Sequence, residues 1–155
     1  MIKRLVYLAG PISGLAYKEA RFGWRHAFAE MMPDYIECLS PMRQTNDLSA
    51  KRKLDIAGYV GNPLHTPAGI TTRDHNDVKM CDAMVACFLE SDGTRSLGTA
   101  VEFGWADVYR KPIVVIGKAD DDHIKHGMLA RIRGFHTEDL EEGAQIIISL
   151  LSTGI

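Results

Sequence analysis

Apolar residues fall along this chain in two patterns. Unbroken runs occur at Leu5-Val6-Tyr7-Leu8-Ala9, at Ala83-Met84-Val85-Ala86-Cys87-Phe88-Leu89 and at Pro112-Ile113-Val114-Val115-Ile116-Gly117. Such runs, closed by glycine, proline or polar residues, predict strands buried on both faces of a parallel sheet. Tyr35-Ile36-Glu37-Cys38-Leu39, ended by Ser40-Pro41, predicts a further strand. The second pattern is helical. From Ala16 to Met32 the residues Ala20, Trp24, Ala27, Phe28 and Met31 recur at three- and four-residue steps between Lys18, Glu19, Arg21 and Arg25. The same spacing runs from Gly98 to Tyr109 through Val101, Phe103, Trp105, Ala106 and Val108, and again from Leu140 to Leu151, while Thr71 to Met80 reads as a more polar helix.

Strands and helices alternate, so the expected fold is an open α/β sandwich. Its parallel sheet would be of Rossmann or flavodoxin-like type, with helices on both faces and a ligand crevice at the carboxyl ends of the strands. The segment from Met42 to about Pro67 lacks sustained periodicity and reads as a long loop with a helical turn; loops this long in a compact domain usually serve function. A variable region lies between Gly117 and Leu140.

Length and composition narrow the function classes. A chain of 155 residues suits one domain spanning 1–155, and 46% hydrophobic with 25% charged residues is ordinary for a globular protein. The net charge of −2 gives no general pull toward a nucleic-acid polymer or an anionic membrane, which leaves small molecules as the expected partners. Cys38, Cys81 and Cys87 are odd in number and lack C-x-x-C spacing. Neither a disulfide framework nor a thiolate zinc site is indicated, and a cytoplasmic setting fits. The apolar run near the N-terminus stops at Gly10-Pro11, too short for a signal peptide or a membrane span.

Three segments carry candidate chemistry. Gly10-Pro11-Ile12-Ser13-Gly14 follows the first strand, where glycines permit close approach and backbone N–H groups can hold an anion or a sugar hydroxyl. It lacks both G-x-G-x-x-G and G-K-[ST], and it also reads as a simple strand-to-helix turn. In Ser96-Leu97-Gly98-Thr99-Ala100-Val101-Glu102-Phe103-Gly104, Thr99 and Glu102 fit a capping box. The same geometry suits a nucleophile, with a first-turn carboxylate kept ionised by the helix dipole and Gly98 and Gly104 leaving room for a substrate. In Arg73-Asp74, Asp74 leads into the crevice and could exchange a proton or hydrogen bond with a bound base, though alone such a residue is most often a surface carboxylate. Asp82 before the central strand reads as a turn or helix-end residue.

Together these segments resemble the nucleoside 2-deoxyribosyltransferase family and its nucleotide N-hydrolase relatives. The matching pieces are Tyr7-Leu8-Ala9-Gly10-Pro11-Ile12, Arg73-Asp74 with Asp82, and Gly98-Thr99-Ala100-Val101-Glu102-Phe103-Gly104-Trp105-Ala106, in the family's order. By that resemblance Glu102 matches the nucleophilic glutamate, Asp74 the base-side carboxylate and Tyr7 an active-site tyrosine. Gly10, Pro11, Ile12, Ser13, Ser96 and Gly98 would bind substrate. The implied reaction cleaves the N-glycosidic bond of 2′-deoxynucleosides or their 5′-monophosphates through a covalent glycosyl-glutamate, with transfer to another nucleobase or to water. It requires no metal and no organic cofactor. Family members complete their pockets from a neighbouring subunit, so a homo-oligomer, dimer or larger, is implied. A non-catalytic nucleotide-binding module using the same crevice is the alternative from another class.

Ser96 departs from the transferases, which resemble each other in having an aspartate six residues before the nucleophile, near the sugar's 5′ end. A serine there can donate to a 5′-phosphate that a carboxylate would repel, as in the monophosphate hydrolases. The segment Met128-Leu129-Ala130-Arg131-Ile132-Arg133-Gly134 also resembles the hydrolase branch, but Ser13 stands where some hydrolases have an arginine. Arg21 and Arg25, one turn apart, could face a phosphate or a neighbouring subunit, but such pairs usually form a solvated helix face. His123-x-x-His126 beside Asp120, Asp121 and Asp122 lacks a fixed third ligand and is poor evidence for a metal.

Overall fold

A computed structural model describes residues 2–55 and 62–153. Its strands are β1 (Arg4–Ala9), β2 (Ile36–Leu39), β3 (Ala83–Cys87), β4 (Ile113–Ile116) and β5 (Phe135–Thr137). Every pairing is parallel, in the order β2-β1-β3-β4-β5. The helices are α1 (Tyr17–Phe22), α2 (Trp24–Glu30), α3 (Pro67–Met80), α4 (Leu97–Val108), α5 (Asp122–Lys125), α6 (Gly127–Ile132) and α7 (Leu140–Leu151). The fold is α/β, with the flavodoxin-like strand order whose reversal between β1 and β3 opens a crevice at their carboxyl ends.

Strand alternation divides the core into two layers. Val6, Leu8, Val85, Cys87, Val114 and Ile116 pack with Trp24 and Phe28 of α2 and Ile147 and Leu151 of α7. Tyr7, Ala9, Met84, Ala86, Ile113 and Val115 pack on the other face with Val78 of α3 and Phe103 and Ala106 of α4. The parity of a single residue therefore decides which helices Tyr7 meets.

Asp82, read as a turn or helix-end residue, lies in the bend between α3 and β3, and it fixes the register of β1 against β3. Its carboxylate accepts from the Leu5 N–H at 2.8 Å and from the Arg4 guanidinium at 3.2 Å, while its own N–H donates to the Leu5 carbonyl at 2.7 Å.

The structure corrects several boundaries. The single helix predicted over 16–32 is two, because Gly23 (φ −61°, ψ −126°) breaks it. Gly23 N–H closes α1 on the Glu19 carbonyl, and the freed Trp24 N–H donates to the Glu90 carboxylate at 3.0 Å. A β-carbon on Gly23 would lie 2.4 Å from that carboxylate and 2.7 Å from the Glu19 carbonyl oxygen, so the break admits no side chain. Helix α3 begins at Pro67 rather than Thr71, with the Thr66 hydroxyl accepting from the Gly69 N–H. The third strand ends at Cys87 rather than Leu89. The variable region contains α5, α6 and the short edge strand β5, none of which the pattern predicts.

The long-loop reading of 42–67 holds for its described residues, which include 3-10 turns at Asn46–Leu48 and Pro63–His65; residues 56–61 lie outside them. Met42, Leu48 and Leu54 of this loop pack on Tyr17 and Ala20 of α1 with Ile12 and Leu15. The two segments are also joined through their backbones. Gly14 N–H donates to Leu54, Leu54 N–H to Leu15 and Tyr17 N–H to Lys51, over 2.9–3.1 Å. Among the described residues no helix is long and apolar enough to cross a membrane.

Candidate active site

A cleft opens at the carboxyl ends of β1 and β3. Gly10, Ile12 and Ser13 form one wall, and Ser96, Gly98, Thr99 and Glu102 of the α4 end form another. Arg73 and Asp74 of α3 complete it, with Met42, Thr45, Leu48, Leu54 and His65 from the long loop. Of the residues singled out in the sequence, Gly10, Ile12, Ser13, Asp74, Ser96, Gly98 and Glu102 line this one cleft. Tyr7 lies beneath it, fully buried, with its hydroxyl donating to Glu102 Oε1 at 2.6 Å. Pro11 belongs to the same loop without lining the cleft.

Gly10 shows why this loop tolerates no side chain at its first position. Its φ is +151°, and a β-carbon would lie 2.6 Å from the Cys87 carbonyl oxygen at the end of β3. The turn thus runs hard against the neighbouring strand. Among the described residues, the N–H groups of Ile12 and Ser13 have no protein acceptor, which leaves them available to a ligand.

The capping-box reading of Thr99 and Glu102 is corrected. Ser96 is the N-cap of α4: its Oγ accepts from the Thr99 N–H at 3.4 Å and bonds Thr99 Oγ1 at 2.8 Å. Glu102 therefore sits in the second turn rather than the first, away from the strongest part of the helix dipole. It is also not held ionised. Burial, aided by Asp74, pushes its carboxyl up to about 8 against the lowering effects of the Tyr7 hydrogen bond and Arg25. Burial and the neighbouring carboxylates Glu102 and Asp74 hold the Tyr7 phenol well above its ordinary range, so it stays a neutral donor.

Asp74 is 6% exposed and accepts from Arg73 Nε at 3.2 Å. Burial raises its carboxyl above the ordinary range, and Arg73 opposes the shift. Arg73 also donates to the Pro41 carbonyl at 2.5 Å, while Arg43 meets Asp77 through two bonds of 2.5 and 2.7 Å, so two arginines tie the long loop to α3 beside Asp74.

The solvated-face reading of Arg21 and Arg25 is also corrected. Arg21 donates to the Tyr17 hydroxyl and the Met42 carbonyl, and Arg25 is 2% exposed within the core. His65 is a cleft residue for which the sequence offered no signal: it is buried, with Nδ1 3.1 Å from Asp47 Oδ2 but poorly aligned for a hydrogen bond. His123 stacks on Phe88, meets Asp121 through Nδ1 and accepts the Ser96 N–H at Nε2 over 2.8 Å, thereby fixing the start of α4. Among the described residues no group of three or more His, Cys, Asp or Glu side chains is placed to hold a metal.

Comparison with known proteins now fits this geometry. The family model described as nucleoside 2-deoxyribosyltransferase matches residues 6–145. The chain belongs to that family, whose members are enzymes acting on N-glycosidic bonds. No curated protein sequence is similar enough to count as a relative. Among solved structures, a conserved protein from Enterococcus faecalis V583 is similar with a TM-score of 0.63 and 18% identity, over 96% of this chain and 99% of that one. The 2-deoxyribosyltransferase of Bacillus psychrosaccharolyticus gives 0.59 and 19%, over 89% and 88% of the two chains. The CMP N-glycosidase BcmB of Clostridium botulinum gives 0.52 and 20%, over 96% and 100%. At these identities the structural likeness speaks for the fold.

Proposed function

We propose that this chain, as one domain over 1–155, cleaves the N-glycosidic bond of 2′-deoxynucleosides or their 5′-monophosphates and transfers the deoxyribosyl group to another nucleobase. The observation that carries the reading is the buried 2.6 Å hydrogen bond from Tyr7 to Glu102 in a cleft that also holds Asp74. A glutamate oxygen attacks the anomeric carbon as the bond to the base breaks, and the bonding electrons leave with the base. Asp74, its proton affinity raised by burial, protonates the departing base. In the second step the acceptor base attacks the same carbon, Glu102 is released and the acceptor's proton returns to Asp74. Tyr7 donates to the Glu102 oxygen and steadies the carboxylate as it forms and leaves.

Hydrolysis of 5′-monophosphates to free base and sugar phosphate is the second reading. Ser96 supports it: if the Thr99 hydroxyl donates to Ser96 Oγ, the serine proton is left for a phosphate oxygen, beside the unengaged N–H groups of Ile12 and Ser13. The reaction needs no cofactor, and three free thiols, Cys81 and Cys87 buried and Cys38 half-buried, suit a reducing cytoplasm. Cys38 and Cys87 are pushed up to about 12 and Cys81 to about 11 by burial, which makes them unreactive. The protein acts as a homo-oligomer, joined through the outward side of α4, where Leu97, Val101 and Val108 are exposed by 73%, 50% and 75%.

Incubation with deoxynucleosides and their monophosphates, with and without a free base, followed by chromatography, tests the reading. Exchange of bases supports transfer, and free base with sugar phosphate supports hydrolysis. Absence of any cleavage leaves the nucleotide-binding module. Glu102→Ala should lower turnover by several orders of magnitude, and Asp74→Asn should slow poor leaving groups most.

A further inference from the structure

Arg25 is a buried cation whose hydrogen bonds reach no carboxylate. Its Nη1 donates to the Ala20 carbonyl at 2.9 Å, its Nη2 to Gly10 at 3.0 Å and its Nε to Leu8 at 3.3 Å. Its guanidinium carbon lies 4.8 Å from the centroid of the Trp24 ring. Burying a guanidinium without a hydrogen-bonded anionic partner is expensive, and an apolar side chain of similar size would fill this space at lower cost. What the charge provides must therefore lie in where its bonds and its field go.

Its bonds converge on the cleft. Leu8 and Gly10 flank the end of the strand that carries Tyr7, and Ala20 belongs to the helix on which the long loop packs. The Gly10 backbone, already pressed against the Cys87 carbonyl, has its own carbonyl fixed by Arg25. The field reaches the same place. Among the described residues, the groups acting most on Arg25 are Tyr7 on β1, Glu102 on α4, Cys87 on β3 and Glu90 just beyond β3. Those acting on Glu102 are Tyr7, Asp74 on α3 and Arg25 itself.

We propose that Arg25 is a positioning residue for the glycosidic reaction: it locks the Gly10 turn and serves as the buried counter-charge against which Glu102 becomes a carboxylate. The inference rests on the reading of Glu102 as nucleophile. Among the described residues Arg25 is a cation that acts on that carboxyl, and its effect opposes burial. Burial lowers the Arg25 guanidinium from its ordinary range while Tyr7, Glu102, Cys87 and Glu90 oppose the shift. Arginine starts from so high a value that it is the cation best suited to such a setting, and its planar fork can serve three carbonyls at once.

The test has two readouts, one independent of catalysis. The Glu102 carboxyl is titrated in the unliganded protein by carbon-13 NMR, assigned with Glu102→Gln, in the unmodified protein, Arg25→Met and Arg25→Lys. The midpoint in Arg25→Met should move above the unmodified protein's value of about 8, and kcat/KM at pH 7 should fall about tenfold for each unit of that shift. Arg25→Lys, which keeps the charge and loses the fork, should hold the midpoint close to that of the unmodified protein while recovering only part of kcat. It also keeps the test open if Arg25→Met fails to fold, because a Glu102 midpoint displaced upward in Arg25→Lys would then overturn the counter-charge role. An unchanged midpoint in folded Arg25→Met, with loss of thermal stability alone, would reduce Arg25 to a structural residue. If the unmodified protein cleaves no glycosidic bond, the functional reading fails, yet the NMR titration still decides whether Arg25 governs Glu102.

Discussion

A carboxylate must be ionised to attack, yet Glu102, the nucleophile proposed above, occupies a place where ionisation is penalised, and its expected behaviour with pH follows from that conflict. With its carboxyl raised to about 8, the kcat/KM of the free enzyme should climb through that pH as the anion forms, which a pH–rate profile on any cleaved substrate would check. The same group makes a statement about stability. Its folded value lies above the ordinary 4.5, so between these values the folded protein keeps a proton that the unfolded chain has released. Stability contributed by the protonated group is fully present below the lower value and is lost as pH rises through the upper one. Glu102→Gln, whose amide oxygen can still accept from Tyr7, should therefore gain roughly 1–4 kcal/mol over the unmodified protein at pH 9 relative to pH 5. Denaturant melts of both proteins at the two values measure it; the same difference at both would show that Glu102 does not titrate there. Ser96 offers a substitution with little structural cost, since aspartate is as good an N-cap as serine. Ser96→Asp should keep the fold while turning a preference for the 5′-monophosphate into one for the nucleoside, by at least about tenfold in relative kcat/KM. Kinetics on one matched pair of substrates decide it.

At the level of elements, the break at Gly23 has a measurable cost of substitution. Gly23→Ala places a methyl against the Glu90 carboxylate and the Glu19 carbonyl, and should destabilise the fold by about 1–3 kcal/mol in chemical denaturation, where an ordinary helical glycine would gain stability. The sequence hides this break because its cause is remote: the Trp24 N–H that the kink exposes is satisfied by Glu90, on another strand's end. The same reason conceals Arg25. Helical periodicity assigns a charged residue between apolar ones to solvent, and carbonyls at the end of β1 and in α1 make an interior guanidinium tenable. By contrast β1, β3 and β4 are legible because strands buried on both faces need unbroken apolar runs, and α4 and α7 because each packs one side on the sheet. Strand β5 escapes notice because it is three residues long with Phe135 partly exposed. The polar α3 shows its start through Thr66-Pro67 rather than through periodicity. In the site, Tyr7, Asp74 and Glu102 are legible from short motifs, whereas His65 reaches the cleft from a loop without periodic signal.

For the whole molecule, the proposed assembly turns on the outward face of α4. The outward stripe Leu97, Val101 and Val108 lies on the helix that carries Glu102, so joining two copies there would couple assembly to the site. Light scattering at micromolar concentration should show a dimer or larger particle, and Val101→Glu with Val108→Glu should shift it toward monomer and reduce turnover; an unmodified protein that is monomeric and fully active would refute the coupling. The sheet itself bears on the same question. Its two margins are β2, four residues long, and β5, three, and each offers little more than one or two ladder bonds to an incoming strand. Growth by adding strands edge to edge is thereby discouraged, and the self-association proposed above would fall to helical faces meeting across a two-fold axis. Such contacts close on themselves, so concentrated solutions should contain particles of fixed stoichiometry and no filaments.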